Sequence, residues 1–195
     1  MTFDFPKGAT PLDPDELAGL KFPHIQTRGE LDQVEHANIQ EGLTWLSRQR
    51  KYKDFLNEAF VKELHKQLFG QVWSWAGQFR LTEKNIGVDP LYISVQLRDL
   101  LEDAQVWIEE KVYSREEFAA RFHHRLVKIH LFPNGNGRHA RIMTDILLEK
   151  MIGVAPINWG GKLLVADGEH RQAYIAALQA ADQHDYQPLI NFVSL

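Results

Sequence analysis

His130-Leu131-Phe132-Pro133-Asn134-Gly135-Asn136-Gly137-Arg138-His139-Ala140-Arg141 is the stretch on which the reading of this chain turns. A histidine, which titrates near neutral pH, stands ahead of a turn made by Pro133, Gly135 and Gly137. These residues bend the backbone, and the glycines leave room for a ligand to approach it. Phe132 is expected to pin the loop by burial. Ile142, Ile146 and Leu147 then restart a helical apolar pattern. A loop that opens a helix turns unpaired N–H groups and the positive dipole end outward, which favours phosphate. Asn136 offers an amide, and Arg138 and Arg141 lie one helical turn apart. Their guanidinium forks match phosphate oxygens, and a histidine beside a phosphate can take a proton from an attacking hydroxyl. From the residues alone this is a nucleotide site with His130 as general base.

The spacing excludes two common phosphate loops. No Gly-Lys-Ser/Thr follows the glycines, so it is not a P-loop, and a helix rather than a strand precedes it, so it is not a Rossmann turn. Simpler accounts exist for single residues: Arg141 could pair with Asp145, the glycines could be only a turn, and His130 could be structural. None of them explains the run. His123, His124, His130 and His139 do not make a metal-hydrolase site, because adjacent helical residues diverge and no carboxylate sits among them.

The run resembles the Fic motif, His-x-Phe-x-Asp/Glu-Gly-Asn-Gly-Arg-x-x-Arg, of the Fic/Doc (Fido) family, through His130, Phe132, Gly135, Asn136, Gly137, Arg138 and Arg141. It departs at Asn134, where the family has a carboxylate that helps hold Mg²⁺. Trp73-Ser74-Trp75-Ala76-Gly77 and Asn85-Ile86-Gly87-Val88 extend the likeness, which is closest to the branch called mobile mystery protein B. The resemblance implies a mainly α Fic fold, a helical bundle with a small β-hairpin flap. It implies a protein adenylyltransferase, a nucleotidyltransferase moving AMP from ATP to a Ser, Thr or Tyr hydroxyl of a target protein. His130 would be the base. Asn134, Gly135, Asn136, Gly137, Arg138 and Arg141 would bind the nucleotide, and ATP with Mg²⁺ would be the donor. Asn134 would reach the metal only weakly, through water. The flap, residues 82–92, would dock the target through Ile86, Gly87 and Val88 by β-strand addition.

The family also carries an inhibitory helix with the pattern Ser/Thr-x-x-x-Glu-Gly/Asn. Here it would be residues 27–50, with Glu35 pairing Arg141, although Leu31 and His36 stand where that pattern has Ser/Thr and Gly/Asn. The reading from Glu35 and Asn38 alone is a solvent-facing carboxylate and amide. The alternative function is a non-catalytic or partner-regulated toxin-type module, with a helix-turn-helix protein as partner, or transfer of another phosphate-containing group.

Composition frames this. The 195 residues, 44% hydrophobic and 25% charged, suit one globular domain, residues 27–195 behind an N-terminal arm at 1–26. A formal charge of −4 argues against general nucleic-acid binding. There is no cysteine, hence no disulfide or thiolate metal site. With no signal segment or membrane span in view, the expected setting is the cytoplasm. Helices are expected over residues 27–50, opened by a Thr27/Glu30 capping box, 52–70, 92–111, 115–130, opened by Ser114, 136–150 and 167–181, with a docked tail at 188–195. His65 is expected at the surface or an interface, with no chemistry assigned, and His139 at the site edge or in solvent.

Overall fold

The computed structural model describes residues 12–49, 55–160 and 168–194. It is mainly helical, as expected. Helix α1 spans Pro14–Leu17, α2 Arg28–Ser47, α3 Glu58–Phe69, α4 Ile93–Glu109, α5 Arg115–Ile129, α6 Asn136–Ile146, α7 Glu169–Asp182 and α8 Gln187–Val193. A 3₁₀ turn at Pro90–Tyr92 leads into α4, and a π-helical turn at Leu147–Ile152 prolongs α6. The anticipated starts are explained by caps. Thr27 accepts from Glu30 N–H while the Glu30 carboxylate takes the Thr27 N–H, and Ser114 accepts from Glu117 N–H. The second long helix begins later than expected, because Asn57 caps it through Phe60 N–H at 2.8 Å. Residues 52–54 of that expectation lie outside the described residues, as do 1–11 of the arm.

Helix α5 packs against α4, α6 and α8, while α2 lies on α3 and α7 on α8. Phe60, Leu64, Leu68, Leu97, Leu100, Phe118, Phe122, Phe132, Met143 and Leu189 belong to one continuous buried cluster. Helix α2 departs from its apolar pattern. Its buried stripe is Leu31, Glu35, Asn38 and Gly42, one residue per turn at helical spacing. Asn38 is not solvent-facing: its amide donates to Gln67 O at 3.1 Å and accepts Gln71 N–H at 2.9 Å. Gly42 allows the contact, since a Cβ there would stand 2.8 Å from Gln67 O.

The small flap expected over residues 82–92 is an irregular loop that ends in the 3₁₀ turn. Among the described residues the sole bridge is Leu20 with Trp73. The loop is held in another way. Lys84, whose side chain is 3% exposed, pairs with Asp13 at 2.8 Å and with Glu16 of α1. The Thr82 hydroxyl donates to Asp13 at 2.9 Å, and Trp75 Nε1 donates to Glu16 O at 2.9 Å. The described part of the arm is thereby fastened to the flap. No helix of the described residues is long and apolar enough to cross a membrane.

Candidate active site

Helix α5 ends at His130, which takes the left-handed conformation with φ 57° and ψ 64°. A non-glycine residue there carries strain that its surroundings must hold. Gly135, at φ 79°, then caps α6. A Cβ on Gly135 would meet the Phe69 ring at 2.7 Å, so both conformation and space demand glycine. The first helical bond runs from His139 N–H to Gly135 O at 2.9 Å. The N–H groups of Asn136, Gly137 and Arg138 therefore precede the ladder and lie at the positive end of the helix. A Cβ on Gly137 would meet only Arg141 Nη1 at 3.7 Å and the Tyr174 hydroxyl at 3.8 Å, so this glycine leaves space beside an arginine.

His130 is 4% exposed, and its pKa is pushed down to about 4, first by burial and then by the charges of Arg80 and Lys84. At neutral pH the imidazole is uncharged and able to accept a proton. Phe132 is fully buried and stacks on His65 with ring centroids 3.7 Å apart. His65 is not a surface residue. Gly77 N–H donates to its Nδ1 at 3.0 Å, which leaves the proton on Nε2 to donate to Asn134 O at 3.0 Å. Burial, followed by the charge of His139, holds its pKa well below the ordinary range. His139 is likewise buried rather than exposed, with Nε2 3.0 Å from Val61 O and a pKa near 4 from burial.

Three expectations are corrected. The Asn136 side chain does not reach for phosphate: it accepts Phe132 N–H at 2.9 Å and donates to Phe132 O at 2.7 Å, closing the loop on itself. The Gly135 N–H is also taken, by Asn134 Oδ1 at 2.5 Å. Third, Glu35 is paired with Arg138, not Arg141. It is 1% exposed, accepts from Arg138 Nη1 at 2.6 Å on one oxygen, and accepts from Trp73 Nε1 at 2.7 Å on the other. It is no solvated carboxylate. Arg138 also donates to Asn134 Oδ1 at 3.4 Å and lies over the Phe69 ring.

Arg141 turns to α7, where its guanidinium lies 5.9 Å from the centre of the Tyr174 ring, whose hydroxyl is 2.8 Å from His123 Nε2. Burial lowers its pKa, and the charge of Arg138 adds to that, so the two guanidiniums remain within electrostatic reach. Asp145 does not serve as its partner as the simple account had it. That carboxylate accepts Ile157 N–H and Trp159 Nε1 at 3.0 Å, and burial raises its pKa to about 6. A protein-held Mg²⁺ does not fit this site. The Asn134 oxygen is engaged, and among the described residues no three His, Asp or Glu side chains converge on a metal position.

Residues to which the sequence reading gave no part in the site complete the arrangement: Arg80, His65, Tyr174, Trp73 and Lys84. Trp73 and Trp75, quoted for the family likeness, stack with ring centroids 4.9 Å apart. The others bind backbone or distant side chains and leave no spacing to read.

A neutral, buried imidazole thus stands ahead of a glycine-capped helix start, with two arginines on the following turn. Residues 55–148, which hold the loop, match the Fic/DOC family model. Over these residues the chain is similar to the Fic/DOC family. It is 28% identical over 145 residues to the protein adenylyltransferase Fic of Aedes aegypti, covering 72% of this chain and 28% of that protein. The chain thus spans little more than a quarter of such relatives. Among solved structures it resembles the N-terminal FIC domain of Bep8 from Bartonella sp. 1-1C, with a TM-score of 0.72 and 19% identity over 90% of this chain and 88% of that one. It also resembles BepC of Bartonella tribocorum, solved with bound AMPPNP, with a TM-score of 0.69 and 20% identity over 96% and 92%.

Proposed function

We propose that this domain transfers AMP from ATP to a Ser, Thr or Tyr hydroxyl of a target protein. The observation that carries the reading is His130, held neutral in a left-handed turn shortly before Gly135, the cap of α6. The names of relatives such as that of Aedes aegypti support it. In the reaction His130 takes the acceptor's proton as its oxygen bonds the α-phosphorus. The bond from that phosphorus to the bridging oxygen breaks, and pyrophosphate leaves. The N–H groups of Asn136 and Gly137 and the Arg141 guanidinium counter the charge on the phosphates. A bound triphosphate would raise the His130 pKa from its low resting value, bringing it nearer the working pH. Mg²⁺ would travel on the nucleotide, as the motif loop carries Asn134 where a carboxylate would hold it. Ile86, Gly87 and Val88 would meet the target, beside the exposed Leu81, Leu91 and Tyr92.

Glu35 is the proposed inhibitory residue. While it holds Arg138, that guanidinium cannot serve the terminal phosphates. The same clasp favours the second reading, a module silent until a partner, on the family likeness a helix-turn-helix protein, draws α2 away. The test uses ATP labelled at the α-phosphate, a cell lysate, and wild-type or His130→Ala protein. Labelled protein bands that vanish in the variant are expected. Absence of label with every nucleotide donor, even from Glu35→Gly, refutes transfer, and label from the γ-phosphate alone points to phosphoryl transfer instead.

A further inference from the structure

The flap and the motif loop meet at one side chain. Arg80 is 2% exposed. Its Nε donates to His130 O at 2.6 Å, its Nη1 to Thr82 O at 2.8 Å, and its Nη2 to Val88 O and to Ile129 O at 3.4 Å. Its own N–H donates to Leu131 O at 2.9 Å. One residue therefore takes three successive carbonyls where α5 ends and two more on the flap. Helix ends leave such carbonyls unsatisfied. A glycine would usually close them. Here a left-handed histidine stands in that place, held by a buried cation. The flap closes the arrangement from the other side. A Cβ on Gly87 would stand 2.6 Å from His130 Cβ and 2.7 Å from Arg80 Nη2. Val88 N–H adds a bond to Ile129 O at 3.4 Å.

We propose that Arg80 is a positioning residue that locks the His130 turn and the flap to one another, so that the base and the segment meeting the target keep a fixed separation. This deepens the transferase reading and rests on it. Arg80 acts through His130 and the flap backbone. It makes none of the phosphate contacts assigned to α6. Lysine cannot substitute, because a single ammonium lacks the planar fork that spans carbonyls on two segments. Misplacing a base by about 1 Å costs on the order of a hundredfold in rate.

The experiment compares Arg80→Lys, Arg80→Gln and Gly87→Ala with wild type. The glycine variant disturbs the same junction while leaving the buried charge in place, which keeps the test open if the arginine variants fail to fold. Transfer rate at saturating ATP should fall about a hundredfold, with the Kd for ATP within about twofold of wild type. Arg80→Lys near the wild-type rate, or rate and ATP affinity falling together, overturns the proposal. A second readout does not need activity: hydrogen exchange at the Arg80 and Val88 amides. Faster exchange there, with α4 and α6 protected as before, supports the lock. Unchanged exchange overturns it, even if wild-type protein transfers nothing and the transferase reading itself has failed.

Discussion

Replacing Glu35 with glutamine isolates the clasp between α2 and the motif helix. The amide keeps an oxygen for Trp73 Nε1, which donates to Glu35 at 2.7 Å, and removes only the charge that holds Arg138 at 2.6 Å. Glu35 is 1% exposed, whereas the Arg138 side chain is 26% exposed. The released guanidinium can therefore regain water or take a phosphate. A hydrogen bond to a charged group contributes about 1.5–3 kcal/mol. The fold should lose roughly that amount, a fall in Tm of about 3–10 °C for a chain of this size. The same energy no longer opposes nucleotide seating, so ATP should bind about 10- to 100-fold more tightly. Calorimetric titration with ATP and AMP measures this. The gain should appear for ATP and be absent for AMP, which has no terminal phosphates for Arg138. It should also vanish when Arg138→Ala is added. An unchanged ATP affinity in folded Glu35→Gln protein, or a gain that survives loss of Arg138, refutes the reasoning.

Acid should weaken the fold. His130 and His139 sit near pKa 4 against an ordinary 6.5, so the unfolded chain takes up protons first as pH falls. Their full stability is present above 6.5 and drains away towards 4, each costing about 2 kcal/mol at pH 5. His65 and His123 shift in the same direction by burial. Asp145, raised to about 6, offsets roughly 1 kcal/mol because its folded form protonates first. Urea unfolding at pH 7.5 and 5 reads the balance, and equal or greater stability at pH 5 contradicts it. Arg141→Ala removes a guanidinium proposed to counter the phosphates and should weaken ATP binding by about tenfold or more, for a loss of about 1.5 kcal/mol or more; calorimetry showing no change would detach Arg141 from the phosphates. Asn134→Asp keeps an acceptor for Gly135 N–H and adds charge, so ATP affinity should become steeply dependent on Mg²⁺, a dependence that titrating the metal at fixed nucleotide would expose.

What the sequence made legible was local chemistry. The run from His130 to Arg141 concentrates its signal within a dozen neighbouring positions, and Thr27 and Ser114 announce helices by capping rules that operate over three residues. What stayed hidden depends on packing between distant segments. Arg138 and Arg141 are equivalent on a helical wheel, and only the placement of α2 and α7 assigns one to Glu35 and the other to Tyr174. Ile86 and Val88 alternate as a strand would, yet the Val88 carbonyl is taken by the Arg80 side chain. A guanidinium bonded to carbonyls leaves no partner residue type to search for, so nothing in the sequence marks Arg80. Glu35 and Asn38 looked solvated because polarity usually is, whereas α2 turns that very stripe onto α3 and the motif helix.

The fastening of Lys84 by Asp13 and Glu16 bears on how this domain is produced and handled. A recombinant protein begun at Thr27 would retain the motif loop and α2 but lose both carboxylates, leaving the Lys84 ammonium to alter the local field and the flap to settle anew. On the proposed transferase reading, its preference among targets should then differ from that of the longer chain, with His130, Arg138 and Arg141 untouched. The boundary chosen for expression is, for this fold, an electrostatic substitution at the docking edge.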